Sequence, residues 1–337
     1  MRVGFNPQKD QKQINSEYFH QIIIPVYIPN QEGYFKDAFI ILKYSLESLF
    51  KTCHNKTYIT IVNNGSCAEV ACYLQELFVG NKIHELIHST NIGYINAMLK
   101  GVCGQNFPLI TTADADVLFL EGWQKNTYNV FEAFPKAGAV CPTPSSRSYK
   151  THTSNIFWDM IFSKKMQFST VKNPAALKAF GHSVGNPNFY NKYQLSKYLT
   201  LTNNDLKAVV GAGHFVVTYR AIIFNELSKH TPYVLGGGSD DMFDLPVIKK
   251  DFWRLSTEDN YTYHMGNVYE DWIDKIFQEI KKNNPEKIHI PTFTFYGNKK
   301  WLYILKSKIF TKFIFQKFIL KLFLKSRGLS KEAITQY

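Results

Sequence analysis

The sequence predicts a Rossmann-like α/β protein: a mixed, mainly parallel β-sheet flanked by helices and followed by an amphipathic helical tail. Short apolar runs alternate with amphipathic stretches as far as residue 113, which is the pattern of βαβ units. The first of these runs, QIIIPVYI at 21–28, is continuously apolar and therefore fits a strand covered on both faces. The 337 residues can bury a core without disulfides.

The elements of the first half follow from this alternation. The apolar runs predict strands at 21–28, 58–62, 82–88, 109–113 and 137–141. Apolar positions at helical spacing predict helices at 38–51, 68–78, 95–102 and 122–134. Because ligands of such sheets bind at the carboxyl ends of the strands, Asn63, Asn64 and Asp114 mark one edge as the expected site.

The second half has a weaker pattern. Residues 143–205 are rich in Ser, Asn, Tyr and Lys and give no clear assignment. A strand is expected within 209–218, and a helix over 240–250 after a glycine-rich loop.

The distribution of charge and the cysteine content limit which classes of protein the chain can belong to. Residues 299–327 hold eight Lys and one Arg with no acid, so the rest of the chain carries only +3 of the net +12. This distribution argues against a nucleic-acid-binding fold. The five cysteines lack Cys-x-x-Cys spacing, which predicts buried thiols in a reducing compartment. No signal peptide and no membrane-spanning run are visible.

Asp114-Ala-Asp116 is the sharpest chemical feature. Two carboxylates at this spacing after a buried strand suit a hard divalent cation that bridges phosphate oxygens. An Asx-turn or a helix cap would place the same residues there for structural reasons alone.

Seven segments in order resemble the family 2 glycosyltransferases, which have a GT-A fold. The resemblance covers roughly residues 20–270. The segments are IIIPVYIPN, ITIVNNGS, NIGYINAMLKGV, TTADADVLFLEGW, GAGHFVVTYRAIIF, SDDMFDL and TYHMGN.

The resemblance implies roles for the acidic residues and for one histidine. Asp116 is expected to ligate Mn²⁺ or Mg²⁺, with His264 as a further ligand and Asp114 contacting the metal or the donor sugar. Asp241 is expected to be the general base of an inverting transfer, and Asp240 stays possible because Asp244 lies three residues after Asp241 instead of two. A packed histidine and an acidic helix N-terminus are the structural alternatives.

The nucleotide-sugar site is expected to be larger than the acidic pair. Asn63 stands where the family usually has Asp, whose carboxylate accepts from the N3–H of uracil or thymine. An amide oxygen also accepts, but less strongly and less selectively, so a UDP-sugar is favoured only slightly. Asn91, Gly93 and Asn96 lie at the expected start of a helix, whose backbone N–H groups could bind phosphate or sugar oxygens. The alternative is that the asparagines only cap the helix. The predicted donor-binding residues are Pro25, Tyr27, Asn63, Asn64, Asn91, Gly93, Asn96, Asp114, Ala115 and Asp116.

The tail predicts a membrane-surface helix. From Phe313 onward, Lys317, Lys321 and Lys325 fall within about 80° of one another on a helical wheel, opposite a wide apolar face. The alternative is a helix that packs on the body while its lysines reach the solvent.

We therefore expect a GT-A catalytic domain at 1–270 and a basic, membrane-associating tail at 271–337. Within the domain, 20–142 would bind the nucleotide sugar and 143–270 the acceptor. The expected protein is a metal-dependent glycosyltransferase of surface polysaccharide biosynthesis, cytoplasmic and peripheral at the inner membrane face. It would use a glycan or polyprenyl-linked acceptor.

A nucleotidyltransferase is one alternative. Such enzymes usually have a glycine-rich, basic loop after the first strand, whereas the loop here, PVYIPNQEGYF, has one Gly and no Arg. A non-catalytic, membrane-associated nucleotide-sugar- or glycan-binding protein is another.

Overall fold

A computed structural model describes most of the chain. It covers residues 4–12, 16–228, 230–236, 238–281, 289–297 and 299–337, with only the backbone of Ser239 and Asp240. The strands are β1 His20–Val26, β2 Thr57–Asn64, β3 Glu85–Ser89, β4 Leu109–Ala113, β5 Val117–Phe119, β6 Ala137–Cys141, β7 Met166–Thr170, β8 Lys197–Asn203, β9 Leu206–Val210, β10 Val216–Arg220, β11 Trp253–Thr257 and β12 Thr262–His264.

Helices flank these strands. They are α1 Ala38–Thr52, α2 Ala68–Val79, α3 Tyr94–Val102, α4 Trp123–Ala133, α5 Ser154–Met160, α6 Pro174–Ser183, α7 Ser239–Lys249, α8 Asp271–Glu279, α9 Lys300–Tyr303, α10 Phe310–Ile314, α11 Lys317–Ser326 and α12 Lys331–Ile334. Three 3-10 turns cover Gly33–Phe35, Ser148–Lys150 and Ala221–Glu226, and a π-helical stretch covers Ile304–Ile309. None of these described helices has the length and apolar character needed to span a bilayer.

The main sheet has the order β3-β2-β1-β4-β10-β6-β11-β9-β8-β7, and the separate pair β12-β5 lies beside it. Strands β3, β2, β1 and β4 are parallel to one another, as are β6 and β11, whereas all other neighbouring pairs in the sheet are antiparallel. The predicted fold class, a mixed α/β sheet flanked by helices, is confirmed. The elements predicted up to residue 141 are confirmed too, except that β3 begins three residues later than expected.

Burial explains why the strands of the parallel half could be predicted from the sequence. Every residue of β1 is buried, because helices that include α1 and α3 pack around this strand and leave it no solvent-exposed face. The first core is formed by these strands with α1, α2 and α3. The carboxyl ends of β1, β2 and β4 consequently meet at one edge.

The run at 209–218 contains the end of one strand and the start of another. Gly211 has φ +100°, and a Cβ there would lie 2.4 Å from the carbonyl oxygen of Ser148. The chain therefore leaves β9 at this glycine and returns as β10, antiparallel to both β4 and β6. Residues 143–205, which gave no prediction, form α5, β7, α6 and β8.

The tail packs on the body through one face. Phe310, Ile314, Leu320, Phe323 and Leu324 join a second core with α4, β6 and β8. The helix expected from Phe313 onward is interrupted, since Gln316 is extended (φ −62°, ψ 134°) and starts α11 as its N-cap. The guanidinium of Arg327 donates to the carbonyls of Ser163 and Ile161, which fixes the end of α11.

The prediction of buried thiols was wrong for part of the set. Cys141 is buried, whereas Cys72 and Cys103 are exposed and Cys53 and Cys67 are half-buried. All five are free thiols. The exposed pair lies on the outer surface of α2 and at the end of α3, where a small side chain meets no packing demand.

Candidate active site

A cavity of about 430 Å³ opens at the carboxyl edge of β1 and β4. Its size lies in the range of small-ligand sites. Aromatic and apolar side chains surround a few polar groups. The lining residues are Pro25, Tyr27, Ile28, Tyr34, Phe35, Ala38, Ile41, Tyr94, Ile95, Thr112, Asp114, Ala115, Asp116, His214, Tyr219, Leu235, Phe243, His264, Gly266 and Asn267.

Strand pairing brings two aspartates and one histidine to the floor of this cavity. Strand β4 ends at Ala113, and the backbone N–H of Asp114 donates to the carbonyl of Phe215 at 2.8 Å. Strand β12 pairs with β5 so that His264 lies opposite Val117, directly after Asp116. The predicted metal ligands from two distant segments therefore converge.

The three side chains have the spacing of a metal site. One ligand atom each of Asp114, Asp116 and His264 lies within 4.8 Å of the others. Nε2 of His264 is 3.3 Å from Oδ2 of Asp116. Nδ1 of His264 is 2.9 Å from Oγ of Ser183, a contact that fixes the ring orientation as outer partners of metal-bound histidines do.

Electrostatics favour a cation here. Burial raises the pKa of Asp116 to about 7, against backbone N–H groups that lower it. Its side chain keeps 25% exposure toward the cavity, while Oδ1 is buried without a hydrogen-bond partner among the described residues. Burial also lowers the pKa of His264, which keeps the imidazole neutral and able to ligate. An unpartnered carboxylate oxygen beside a neutral imidazole fits a divalent cation.

Asp114 is oriented by a tyrosine. The hydroxyl of Tyr94, in the first turn of α3, donates a short hydrogen bond to Oδ1 of Asp114. Burial and the charge of Asp114 raise the pKa of Tyr94 well above its ordinary value, so the phenol stays a donor. The Asp114 carboxylate is therefore held in a fixed orientation at the cavity floor.

Besides Asp114 and Asp116, three of the predicted donor-binding residues line the cavity. Pro25 and Tyr27 line it at the end of β1, as does Ala115 between the two aspartates. Tyr27 packs edge-on against Phe35, whose ring also contacts Tyr34. The 3-10 turn that carries Phe35 gave no signal in the sequence, because short turns lack periodicity.

Other predicted donor contacts lie near this edge but outside the described lining. The Asn63 amide oxygen accepts from the N–H of Ser66 at 3.0 Å, and its nitrogen lies 3.0 Å from Nδ1 of His88. Asn64 accepts from the N–H of Ile92 at 2.9 Å, and the Asn91 side chain accepts from Gly93. These amides stabilise the loops that form the edge, and their contact with a donor stays a prediction.

Gly93 and Asn96 hold a loop beside the cavity. Both polar atoms of the Asn96 amide bond the backbone of Thr231, at 2.9 Å each. Gly93 has φ +88°, and a Cβ there would lie 2.7 Å from the carbonyl oxygen of Tyr233. The close approach needs glycine, and it places Leu235 in the cavity wall.

The acidic residues of α7 separate into two environments. Asp241 is 57% exposed, and Oδ1 lies 2.7 Å from Nε2 of His152. Asp244 is fully buried, and its Oδ2 lies 2.7 Å from the Arg254 guanidinium and 3.8 Å from Nδ1 of His214. The side chain of Asp240 lies outside the described residues. Asp241 does not line the cavity in the described part of the chain, although Leu235 and Phe243 on either side of it do.

His214 lines the cavity and was missed from the sequence. It precedes β10, and because β10 runs antiparallel to β4, its amino end meets the carboxyl edge of the parallel strands. The available signal was a histidine directly before a strand in GAGHFVVT. That signal becomes informative only once the strand direction is known.

Comparison with known proteins identifies a family. A model described as Glycosyl transferase family 2 matches residues 22–193, about half of the chain. This segment contains the strand-end edge, Asp114 and Asp116, and stops before β10. No curated protein is similar enough in sequence to match.

Solved structures resemble the chain at low scores. The structure of S. aureus TarS is 12% identical with TM-score 0.42, and the match covers 77% of this chain and 42% of that one. S. aureus TarS 1–349 in complex with UDP-GlcNAc is 11% identical, with coverage of 94% and 78% and TM-score 0.45. The mannosyltransferase PcManGT from Pyrobaculum calidifontis, in complex with GDP-Man and Mn²⁺, is 11% identical, with coverage of 94% and 77% and TM-score 0.46. The chain thus spans less than half of the first of these proteins.

Proposed function

Because this chain belongs to glycosyl transferase family 2, we propose that it transfers a sugar from a nucleotide diphosphate sugar to a hydroxyl group of an acceptor. The observation that carries this proposal is the convergence of Asp114, Asp116 and His264 within 4.8 Å at the floor of one cavity. A sheet edge with an aromatic wall and a cation-binding floor suits a ligand with a flat base and a charged diphosphate.

Three residues have proposed roles at the metal. Asp116 and His264 hold Mn²⁺ or Mg²⁺, and Asp114, oriented by Tyr94, contacts the same cation or the donor. A divalent cation bound there supplies positive charge to the diphosphate leaving group. The Ser183 hydroxyl keeps the His264 ring directed toward Asp116.

Donor binding is proposed to use the rest of the edge. Tyr27 and Pro25 form the wall against which a base or ribose packs, and Ala115 allows close approach beside the cation. The loops tied by Asn63, Asn64, Asn91, Gly93 and Asn96 would shape the base and phosphate subsites. A UDP-sugar is slightly favoured, because the Asn63 amide oxygen, which accepts from the Ser66 N–H, has a second lone pair that can accept from the N3–H of uracil.

Asp241 is proposed as the general base of an inverting transfer. It takes the acceptor hydroxyl proton as the hydroxyl oxygen attacks the anomeric carbon and the bond to the diphosphate breaks. Its exposure and its place in the first turn of α7, between two segments that line the cavity, support this choice. Asp240 is the alternative base.

Donor turnover tests the proposal. UDP-, GDP- and dTDP-sugars would be offered with Mn²⁺ to the wild type and to Asp116→Ala, and binding and hydrolysis of each donor measured. We expect one donor to be bound and hydrolysed only with metal, and Asp116→Ala to lower its turnover by a factor of roughly 100 or more.

The matched control is Asp205→Ala, which removes an exposed carboxylate from the β8–β9 turn, away from the cavity. It should behave as the wild type. Binding of no nucleotide sugar, with or without metal, would contradict the glycosyltransferase proposal and favour the binding-protein alternative.

The outer face of α11 supports the proposal of a membrane-surface acceptor. Phe318 is 73% and Leu322 53% exposed, and they lie beside the stripe of Lys317, Lys321 and Lys325. An apolar strip beside three lysines suits the surface of an anionic bilayer. The acceptor would then be a glycan or polyprenyl-linked sugar at the inner membrane face, in surface polysaccharide biosynthesis.

Vesicle binding tests this part separately. Lys317, Lys321 and Lys325 would be changed together to Glu, since all three are at least partly exposed and their replacement leaves the second core intact. We expect the variant to lose binding to phosphatidylglycerol vesicles at low salt, with phosphatidylcholine vesicles as the neutral reference.

An equal change of charge elsewhere is the control. Lys100, Lys178 and Lys192 are exposed on other surfaces, and the corresponding triple Glu variant should bind vesicles as the wild type does. Equal loss in both variants would mean that net charge, and not the α11 surface, attracts the vesicle.

A further inference from the structure

A short contact joins the proposed base to a distant segment. Nε2 of His152 lies 2.7 Å from Oδ1 of Asp241, and the two residues are 89 positions apart in the chain. An imidazole N–H that donates to one carboxylate oxygen fixes the carboxylate plane and leaves the other oxygen able to accept a proton. The contact therefore has the geometry needed to orient a general base.

The backbone of His152 is strained. Its φ is +52°, in the left-handed region that residues with a Cβ seldom occupy. Such conformations persist only where neighbouring contacts enforce them, and they cluster at functional sites. The turn before it is enforced in this way, because Ser148 packs against Gly211 and Thr151 donates back to Ser148.

One buried guanidinium connects the two sides of the contact. Arg254 is fully buried on β11. Its Nη1 donates to the carbonyl of Thr151 at 2.9 Å, next to His152. Its Nη2 lies 2.7 Å from Oδ2 of Asp244, one helical turn after Asp241 in α7. Arg254 thus fixes the backbone beside the imidazole and the helix that carries the carboxylate.

We propose that His152 is a positioning residue for glycosyl transfer, holding the Asp241 carboxylate by Oδ1 so that Oδ2 faces the acceptor hydroxyl. The inference rests on the proposed function, in which Asp241 is the base. The acceptor proton moves to Oδ2 as the acceptor oxygen bonds to the anomeric carbon and the diphosphate leaves. His152 keeps its own proton throughout.

The chain supplies a matched control contact. Nε2 of His289 lies 2.8 Å from Oε1 of Glu132, and both side chains are largely exposed. Exposed pairs of this kind contribute little to stability. His289→Ala therefore removes a histidine–carboxylate contact of the same length away from the cavity.

The first test uses the full chain with Mn²⁺ and the donor identified above, with water as the acceptor. In His152→Gly the imidazole is removed while the left-handed backbone is favoured. We expect kcat to fall roughly 10-fold to 100-fold with the donor KM unchanged. His152→Gln, whose amide can donate to Oδ1, should recover part of kcat, and His289→Ala should match the wild type.

A double variant separates positioning from a structural effect. Asp241→Asn should lower kcat, and adding His152→Gly to it should cause no further loss, because His152 acts through the carboxylate. Wild-type kcat in His152→Gly, a full additional loss in the double variant, or a raised donor KM in His152→Gly would each overturn the proposal.

Failure of the proposed function looks different in the same experiment. Wild-type kcat in Asp241→Asn would reject Asp241 as the base, and His152 as its positioning residue with it. Absence of turnover with every donor in the wild type would reject glycosyl transfer itself.

Discussion

The Asp116 carboxylate is expected to lower the free energy of unfolding of the metal-free protein. Its buried Oδ1 has no hydrogen-bond partner among the described residues, and burial raises the pKa of the carboxyl to about 7. The same carboxyl has a pKa of about 4 in the unfolded chain. Above about pH 4 its ionisation is therefore more favourable in the unfolded state, which lowers the free energy of unfolding. A residue that lowers stability at a cavity floor indicates a ligand that compensates for it.

Asp116→Asn should accordingly raise the free energy of unfolding of the metal-free protein at pH 8 by roughly 1 to 3 kcal/mol, after allowance for its partial exposure. Urea unfolding with and without Mn²⁺ measures the effect. Mn²⁺ should stabilise the wild type and not the variant. A variant less stable than the metal-free wild type would show that the carboxylate has a structural partner instead.

Motif order predicted the three residues that converge, whereas local sequence could not predict which amides reach a ligand. Asp114, Asp116 and His264 follow strand ends or lie in a late strand, and strand pairing brings them together. Asn63 and Asn91 also lie at the edge where a ligand is expected, yet their side-chain oxygens accept hydrogen bonds from backbone N–H groups of the loops. Such local competition for hydrogen bonds leaves no trace in composition or periodicity.

Among the elements, the tail joins the body through charge as well as apolar packing. Nζ of Lys306 lies 2.7 Å from Oδ1 of Asp159 and 2.9 Å from Oδ2 of Asp251. Lys136 contacts the same two carboxylates from the loop before β6. Asp251 is almost completely buried, so these cations compensate its charge.

Lys306→Met should destabilise the protein by roughly 2 to 4 kcal/mol, because one of two cations is removed from a buried carboxylate pair. It should also speed proteolysis within 299–316, as α9 and α10 lose this attachment. Lys308→Met, at an exposed neighbouring position, is the control. Equal stability of both variants would mean that apolar packing alone retains the tail.

The predictability of the elements followed their burial. The strands β1, β2 and β4 carry apolar runs because both faces are covered, and their predicted bounds were close to those observed. The strands β7, β8 and β9 have mixed burial, and their partners lie on neighbouring antiparallel strands. The sequence of residues 143–205 therefore resembles a polar irregular chain, although the segment forms two helices, two strands and a 3-10 turn.

For the molecule as a whole, two buried histidines predict acid sensitivity. Burial lowers the pKa of His54 to about 4, and burial together with His54 lowers the pKa of His20 well below its ordinary value. Both contact the hydroxyl of Tyr128. The unfolded chain protonates these rings below about pH 6.5 and the folded chain does not, so their contribution to stability is lost as the pH falls from 6.5 toward 4.

Urea unfolding at pH 7.5 and pH 5 should show a loss of roughly 1 to 3 kcal/mol that His54→Gln reduces. Comparison of the two proteins cancels the opposite contribution of Asp116, which the raised pKa of its carboxyl makes more favourable in acid. His289→Ala, at an exposed histidine, should leave the difference unchanged. An identical loss in His54→Gln would assign the acid effect to other groups.

The position of β10 has a consequence for how the chain acquires its structure. It lies between β4 and β6, so the two strands are joined in the sheet only through a segment synthesised long after both. During translation, residues 20–142 present two unpaired strand edges until Val216–Arg220 emerges. Folding is then governed by the closure of a long loop, which is slow and leaves the nascent chain prone to aggregation. A chain truncated after residue 193 would remain in that state.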